Sequence, residues 1–382
     1  MNANVGRHTS AMPQLVALDM PGSATYVDEL IRVWDRGDAV LPLDQRLSAA
    51  ARRALATEMK ASAVITPNGE TSLGSGRPVD TGDALVMCTS GSTGTAKGVV
   101  LTHDAIIASA RATNERLGVT AAHHWLACLP LAHIGGMSVI TKALTANAAL
   151  TVHAAFDADA VQAAAHDGAT HVSLVATALQ RIDPSLFHMI VLGGARPPEH
   201  LAPNIVTTYG MTETASGVVY DGVPLDGVEV RVHENGEILV RAPMLLRCYR
   251  DGSTPIDTDG WLHTNDLGRW SNERLVVEGR RGDLIISGGE NVWPEAVEVA
   301  LAKHPLIADV GVAGLDDPEW GQIVCAWIVP SDARHPPSLE DVRAFVAERL
   351  PRFMAPRNVR FVTRLPRNSL GKLRRAEMLS SD

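Results

Sequence analysis

Aromatic side chains make up only 4% of the chain, and cysteine is scarcer still, with four in 382 residues. Cys88, Cys128, Cys248 and Cys325 stand far apart with no CxxC spacing. That excludes a paired-cysteine zinc site and a secreted disulfide framework, and makes the cytoplasm the expected location. Positive charge is also short: 34 Lys and Arg against 43 Asp and Glu leave a formal charge of −9. A nucleic-acid partner would call for a basic field, so none is expected. No apolar run reaches the ~18 residues of a membrane-spanning helix. The opening MNANVGRHTSAMPQLVALDM lacks the basic stretch and apolar core of a secretory leader, so a soluble protein is expected.

What is present reads as two domains of unequal size, since the length exceeds one ordinary core. Up to about residue 210, short apolar runs (DALVMCT at 83–89, WLACL at 125–129, AALTV at 148–152, HVSLV at 171–175, MIVL at 189–192) alternate with Ala-rich stretches. This is the pattern of an α/β domain with a largely parallel sheet. One helix is well marked, with Thr102 as its cap, Ile106, Ile107 and Ala110 as its apolar face and Gly118 as its stop. Residues 220–279 read as a β-rich subdomain, in which VEVRV and EILVR flank Asn235-Gly236, a pair expected to supply the positive φ angles of a hairpin. From 283 onward the reading is a small α+β domain: strand DLIIS, a helix opened by Pro294, strands ADVGVAGL and IVCAWIV, a helix capped by Ser338 with Asp341, and strand NVRFV. The expected division is therefore 1–279, a joint at 280–283, and 284–382.

The strongest chemical signal is TSGSTGTAKG at 89–98, directly after an apolar strand. Gly91, Gly94 and Gly98 let backbone N–H groups turn toward phosphate oxygens; Thr89, Ser90, Ser92 and Thr93 add hydroxyls, and Lys97 a charge. The spacing differs from GxxxxGK[ST], so this is not the loop of ordinary P-loop ATPases. Four more tracts follow in order: PLAHIGG around His133, YGMTE at 209–213, WLHTNDLG around Asp266, and PRNSLGK ending at Lys372.

Together these motifs resemble the adenylate-forming superfamily of acyl-CoA synthetases, luciferases and peptide-synthetase adenylation domains, over most of residues 83–380. The resemblance implies a large N-terminal α/β domain and a mobile C-terminal domain that together bind ATP, Mg²⁺ and coenzyme A. In it, Tyr209 lies against adenine, Thr212 near the α-phosphate, and Glu213 holds the metal. Gly193, Gly194 and Ala195, with Gly210 and Met211, form the backbone beside the base. Asp266 binds the ribose hydroxyls with Arg280 next to it, although Asn265 replaces the usual glycine. His133 stands near the reacting carboxylate. Lys372 serves adenylation, and the 287–291 loop replaces it for thiol transfer after a rotation about Gly282. A homodimer is a further family expectation.

The phosphate loop begins at Thr89, where full-length acyl-CoA synthetases carry well over a hundred preceding residues, so a truncated member is expected. Those proportions and the tract TYGMTETASGVVYDGVPLDG resemble the short o-succinylbenzoate–CoA ligases of menaquinone biosynthesis. Such a substrate has a second carboxylate to be held, and His124, Lys142, His171 and Arg196 are all candidates. Another aryl- or acyl-acid ligase, or a stand-alone adenylation enzyme, fits the same motifs; the absence of a following carrier domain favours free CoA. An inactive nucleotide-binding regulator would need the loop, Glu213 or Lys372 to be lost, and all are present.

Overall fold

The structure is a computed structural model that describes residues 12–74, 76–90, 96–194, 197–198, 200–367 and 373–380. The chain packs as two units, Met1–Glu229 with Val240–Leu262, and Val230–Leu239 with His263–Asp382.

The first unit holds two seven-stranded sheets. One runs in the order Cys248–Tyr249, Ala96–Thr102, Asp83–Ser90, Ala39–Pro42, Leu15–Leu18, Ala63–Thr66, Gly69–Ser72. Its centre is parallel and its edges antiparallel. The other runs Val223–Pro224, Ser216–Tyr220, Ile205–Met211, Met189–Leu192, His171–Leu174, His124–Ala127, Ala149–Val152. It is parallel from Ile205–Met211 to the Ala149–Val152 edge. Each apolar run read from the sequence is a strand within a residue or two of its expected ends.

The helix His103–Leu117 starts where Thr102 accepts a hydrogen bond from the Ala105 N–H and stops at left-handed Gly118. Ile106 and Ala110 are buried, but Ile107 is 36% exposed. Adjacent helical residues point about 100° apart, and the buried pairs Ala105/Ile106, Ser109/Ala110 and Thr113/Asn114 centre the face so that Ile107 falls at its margin.

In the second sheet, alternate strand residues face opposite ways. Leu126, Val172, Leu174, Ile190 and Leu192 form one core with Val161 and Ala164 of the helix Ala158–His166. The residues between them face the other side. The helix Ile134–Ala146 packs on these strands and begins where the chain leaves the carboxyl end of His124–Ala127. Gly193 and Gly194 follow the carboxyl end of Met189–Leu192, and Tyr209 lies toward the end of Ile205–Met211. Candidate residues thus gather at one sheet edge, where open α/β sheets bind ligands.

The second unit contains the hairpin Leu262–Ser271 with Arg274–Arg280. Residues 263–279, assigned by sequence to the first domain, group with the C-terminal residues: an added Cβ at Gly279 would come within 2.7 Å of the Trp293 ring. The turn before Glu237 also differs from expectation. Only Gly236 takes positive φ; Asn235 instead accepts the Glu237 N–H at 3.0 Å through its side chain, so one left-handed residue suffices. The remaining sheet runs Glu290–Val292, Ile285–Ser287, Gly321–Pro330, Ile307–Asp317, with Asn358–Phe361 parallel to Gly321–Pro330. Helices Pro294–Leu301 and Leu339–Ala347 supply Val297, Leu301, Val342 and Val346 to its core. Among the described residues no helix is long and apolar enough to cross a membrane.

Candidate active site

Thr89 and Ser90 end the strand Asp83–Ser90, and Lys97 is the second residue of its antiparallel partner Ala96–Thr102, with Thr89 opposite Lys97. The glycine- and hydroxyl-rich tract therefore joins two paired strands. Gly91, Ser92, Thr93 and Gly94 lie outside the described residues. Lys97 is exposed at the mouth of this hairpin, and its Nζ stands 4.8 Å from the centre of the Tyr249 ring, within the range of a cation–π contact. The Tyr249 hydroxyl donates to Glu213 Oε1 at 3.1 Å. One ring thus separates an ammonium from a carboxylate.

Tyr249 is held by its neighbours. Arg247 forms a two-pronged pair with buried Asp83, both contacts at 2.8 Å. Arg250 is spent on the carbonyls of Met59, Pro78 and Arg77. No spacing rule in the sequence marks Tyr249; it reaches the site only because Cys248–Tyr249 forms an edge strand beside Ala96–Thr102.

Tyr209, Gly210 and Met211 belong to the strand Ile205–Met211, and Thr212 and Glu213 to the single tight turn Thr212–Thr214 that follows. Thr214 fixes that turn by taking the Met211 N–H at 2.9 Å and donating to the Ser216 carbonyl at 2.6 Å. A Cβ at Gly210 would lie 2.1 Å from the Ser216 oxygen, so no other residue fits there without moving the partner strand. A Cβ at Gly193 would meet the Thr208 hydroxyl at 2.8 Å. Gly194 has a positive φ; Ala195 and Arg196 lie outside the described residues.

His133 occupies the cap position of helix Ile134–Ala146 without capping it. Its Nε2 is instead 2.8 Å from an Arg46 nitrogen and 3.5 Å from Asp44 Oδ2. One ring nitrogen thus stands beside both a guanidinium and a carboxylate. Burial acts to raise the Asp44 carboxyl, but hydrogen bonds with His133 and Arg46 outweigh it and hold it well below the usual carboxylate range. Asp44 and Arg46 were not legible as site residues, because nearly ninety positions of sequence separate Arg46 from His133.

In the second unit, Asp266 and Arg280 stand directly opposite each other on their hairpin, and Arg280 Nε donates to Asp266 Oδ1 at 3.0 Å. Asp266 is buried, and its backbone N–H is taken by Thr264 Oγ1 at 3.0 Å. Asn265 sits at φ 58°, the left-handed region that asparagine tolerates best after glycine, so the substitution at the family's glycine preserves the turn. Lys372 lies outside the described residues. Arg367 and Leu373 form an isolated antiparallel bridge, with Arg367 paired to Asp309 at 2.6 Å. Three positions beyond Lys372, Arg375 meets Asp283, Glu295 and Glu298 at 2.9 to 3.2 Å.

Among the described residues no three His, Cys, Asp or Glu side chains cluster as a metal cage. Glu213 nonetheless fits a magnesium ion: Tyr249 occupies one carboxylate oxygen, and Mg²⁺ in nucleotide sites takes one or two carboxylates together with phosphate and water.

Residues 73–250 match the AMP-binding enzyme family and 296–372 the AMP-binding enzyme C-terminal domain. The chain is similar to a probable 2-succinylbenzoate–CoA ligase of Mycobacterium tuberculosis (strain ATCC 25618 / H37Rv), 38% identical over 330 residues that cover 80% of this chain and 86% of the relative. A 2-succinylbenzoate–CoA ligase of Bacillus anthracis (strain A0248) is 35% identical over 334 residues, 77% of this chain and 69% of that one. Among solved structures, o-succinylbenzoate CoA synthetase from Bacillus subtilis in complex with its acyl-adenylate intermediate superposes with a TM-score of 0.85 at 28% identity, covering 98% of this chain and 89% of that one. The same enzyme with ATP and magnesium ion gives 0.84 at 27% identity, covering 97% and 90%.

Proposed function

The chain belongs to the AMP-binding enzyme family, and we propose that it is an ATP-dependent, AMP-forming ligase that converts o-succinylbenzoate to o-succinylbenzoyl-CoA, a step of menaquinone biosynthesis in the cytoplasm. The acid is that of the relatives named above. In the first half-reaction an oxygen of the acid's carboxylate attacks the α-phosphorus of ATP; the bond to the β-phosphate breaks and pyrophosphate leaves, giving the acyl-AMP. In the second, the CoA sulfur attacks the acyl carbon, AMP departs with the bonding pair, and the thiol proton passes to solvent.

The row Lys97, Tyr249, Glu213 is the observation that supports this reading most. It offers a cation for phosphate and a carboxylate for a metal at one hairpin mouth, as a polyphosphate reaction requires. Magnesium, when bound at Glu213, would neutralise phosphate charge as the displacement proceeds. Residues 89–94 and Lys97 cradle the phosphates, and Thr212 donates to the α-phosphate. Gly193, Gly194, Ala195, Tyr209, Gly210 and Met211 enclose the base, and Asp266 accepts from the ribose hydroxyls while Arg280 fixes its carboxylate. His133, held beside Arg46 and Asp44, stands where the acid enters. Lys372 draws the two anions together in the adenylation transition state. The C-terminal residues 284–382 turn about 280–283, where Gly282 has open space around it, and the 287–291 loop then serves the thiol step.

The test is a panel of carboxylic acids with ATP, Mg²⁺ and CoA, read by mass detection of the thioester. The proposal expects o-succinylbenzoyl-CoA at a kcat/KM well above that for any simple aryl or fatty acid. Preference for a fatty acid, or product only with a carrier-protein thiol, would contradict it.

A further inference from the structure

Arg375 makes more contacts than the fastening of a five-residue terminal helix requires. Its side chain is 10% exposed. Nε donates to the Val312 carbonyl at 3.0 Å, Nη1 to Asp283 Oδ2 at 3.2 Å, and Nη2 to the two oxygens of Glu298 at 2.9 and 3.0 Å. Glu295 Oε1 is a further 3.0 Å from Nη2. Glu298 in turn accepts the Val312 N–H at 2.8 Å. Strand Ile307–Asp317 is at the edge of its sheet, and Arg375 with Glu298 satisfies both backbone groups of Val312 there, as a neighbouring strand would. A guanidinium holds its donors in a fixed planar fork. One side chain therefore sets the mutual placement of four elements: the helix Arg375–Leu379, the strand Ile307–Asp317, the helix Pro294–Leu301 and the tight turn Arg281–Asp283.

Two ends of this arrangement bear on the reaction. Asp283 closes the 280–283 joint, 92 positions before Arg375, and Lys372 precedes Arg375 by three positions in the sequence. Between lysine and arginine, Leu373 packs on the cluster of Trp327, Leu365 and Met378. The chain just after Lys372 is thus anchored twice, by an apolar side chain and by an ion pair. Only the ion pair ends on the joint. Through it a displacement of Asp283 passes directly to the segment after the lysine.

The 287–291 loop hangs on other supports. The Gly288 N–H donates to the Trp320 carbonyl at 2.8 Å, the Ile286 N–H donates to Gln322 Oε1 at 3.0 Å, and Ser287 pairs with Gly321. None of these contacts runs through Arg375, so the groups proposed for the two half-reactions are held independently.

We propose that Arg375 is a positioning residue for Lys372: by binding Glu298 and Asp283 together, it couples the segment that carries the lysine to the 280–283 joint, so that turning the joint delivers the lysine for adenylation. The inference rests on the reading of Lys372 as the adenylation lysine and adds the device that places it. Loss of the fork leaves the lysine's charge intact and removes its placement.

The experiment measures the half-reactions separately in the full chain, as single-turnover formation of the acyl-AMP from o-succinylbenzoate, ATP and Mg²⁺, and as CoA thiolysis of supplied acyl-AMP. Arg375→Lys keeps the charge but loses the planar fork. Acyl-AMP formation should slow about 10–100-fold, the scale of a ~1 Å misplacement of a reacting group. KM for ATP should hold, because the lysine acts in the transition state, and thiolysis should keep its wild-type rate. Asp283→Asn removes the charge at the joint and leaves Glu298 and Val312 in place; it should slow the same step by several-fold. A folded Arg375→Lys that slows both steps equally, or neither, overturns the inference. Where Arg375→Lys does not fold, Asp283→Asn decides, and unaltered acyl-AMP formation in that variant overturns it. Lys372→Ala is the control. If it spares acyl-AMP formation, the reading of Lys372 fails and the inference with it; if it abolishes that step while the other two variants leave it untouched, the inference fails alone. If the wild type activates a different acid, the same comparison is made with that acid.

Discussion

Tyr249 does two jobs with one side chain: its ring faces the Lys97 ammonium and its hydroxyl orients the Glu213 carboxylate. Partners of this kind set how well a carboxylate presents itself to a metal. For Tyr249→Phe, the Mg²⁺ concentration that half-saturates acyl-AMP formation should rise about 10-fold, with KM for the acid little moved. An unchanged Mg²⁺ requirement would mean that the hydrogen bond has no part in metal binding. Gly210 makes a stricter demand, since a methyl group there collides with the Ser216 carbonyl oxygen. Gly210→Ala should cost about 1–3 kcal/mol in urea unfolding through overpacking, besides disturbing Tyr209 and Met211. At this scale, legibility depended on whether chemistry and chain proximity coincide. Tyr209, Thr212 and Glu213 stand together in sequence and in space, so one short word carried them. Tyr249 is distant in sequence from Glu213, as Asp44 and Arg46 are from His133, and only the tertiary fold brings them in.

Among the elements, those with their own terminal signals were the easiest to read. Ser338 and Asp341 satisfy each other's backbone N–H groups at the start of Leu339–Ala347, and Thr102 does the same duty alone for His103–Leu117. Ser338→Ala should lower stability by about 1 kcal/mol, measured as a shift in the thermal unfolding of the C-terminal unit. Strands Leu15–Leu18 and Ala39–Pro42 carried no such signal. All their residues are buried, so no polar alternation marks them, and four apolar residues read equally well as a helix fragment.

The short helix Arg375–Leu379 is fastened by charge instead. Arg375 binds Glu298 through two contacts at 2.9 and 3.0 Å and also meets Asp283 and Glu295. Burial is the largest influence on Glu298 and pushes it up to about 7, against the pull of Arg375 and the Val312 N–H. The folded state therefore holds a proton that the unfolded chain releases near the ordinary glutamate value of 4.5. The Glu298 contribution is fully present below that value and is lost as pH rises through about 7. The melting temperature of the wild type relative to Glu298→Gln should accordingly fall by a few degrees between about pH 5 and pH 8. A pH-independent difference would show that Glu298 stays ionised throughout.

For the molecule as a whole, the two-unit plan and the α/β and α+β textures followed from hydrophobic periodicity, while the grouping of residues 263–279 with the C-terminal unit did not. That grouping depends on the Gly279 backbone lying against Trp293, a contact between positions that no local pattern joins. The division of labour between half-reactions belongs to this scale too. Lys372→Ala should abolish formation of the acyl-AMP yet leave CoA thiolysis of supplied acyl-AMP largely intact, as single-turnover assays of each step would reveal; equal loss of both would contradict separate roles.

The central claim, that this chain joins a carboxylate to the α-phosphate of ATP, is tested most directly by exchange of labelled pyrophosphate into ATP without CoA. Exchange should appear only when o-succinylbenzoate and Mg²⁺ are both present, and should vanish in Lys372→Ala. Exchange that ignores the acid, or none at any concentration of it, would contradict the account.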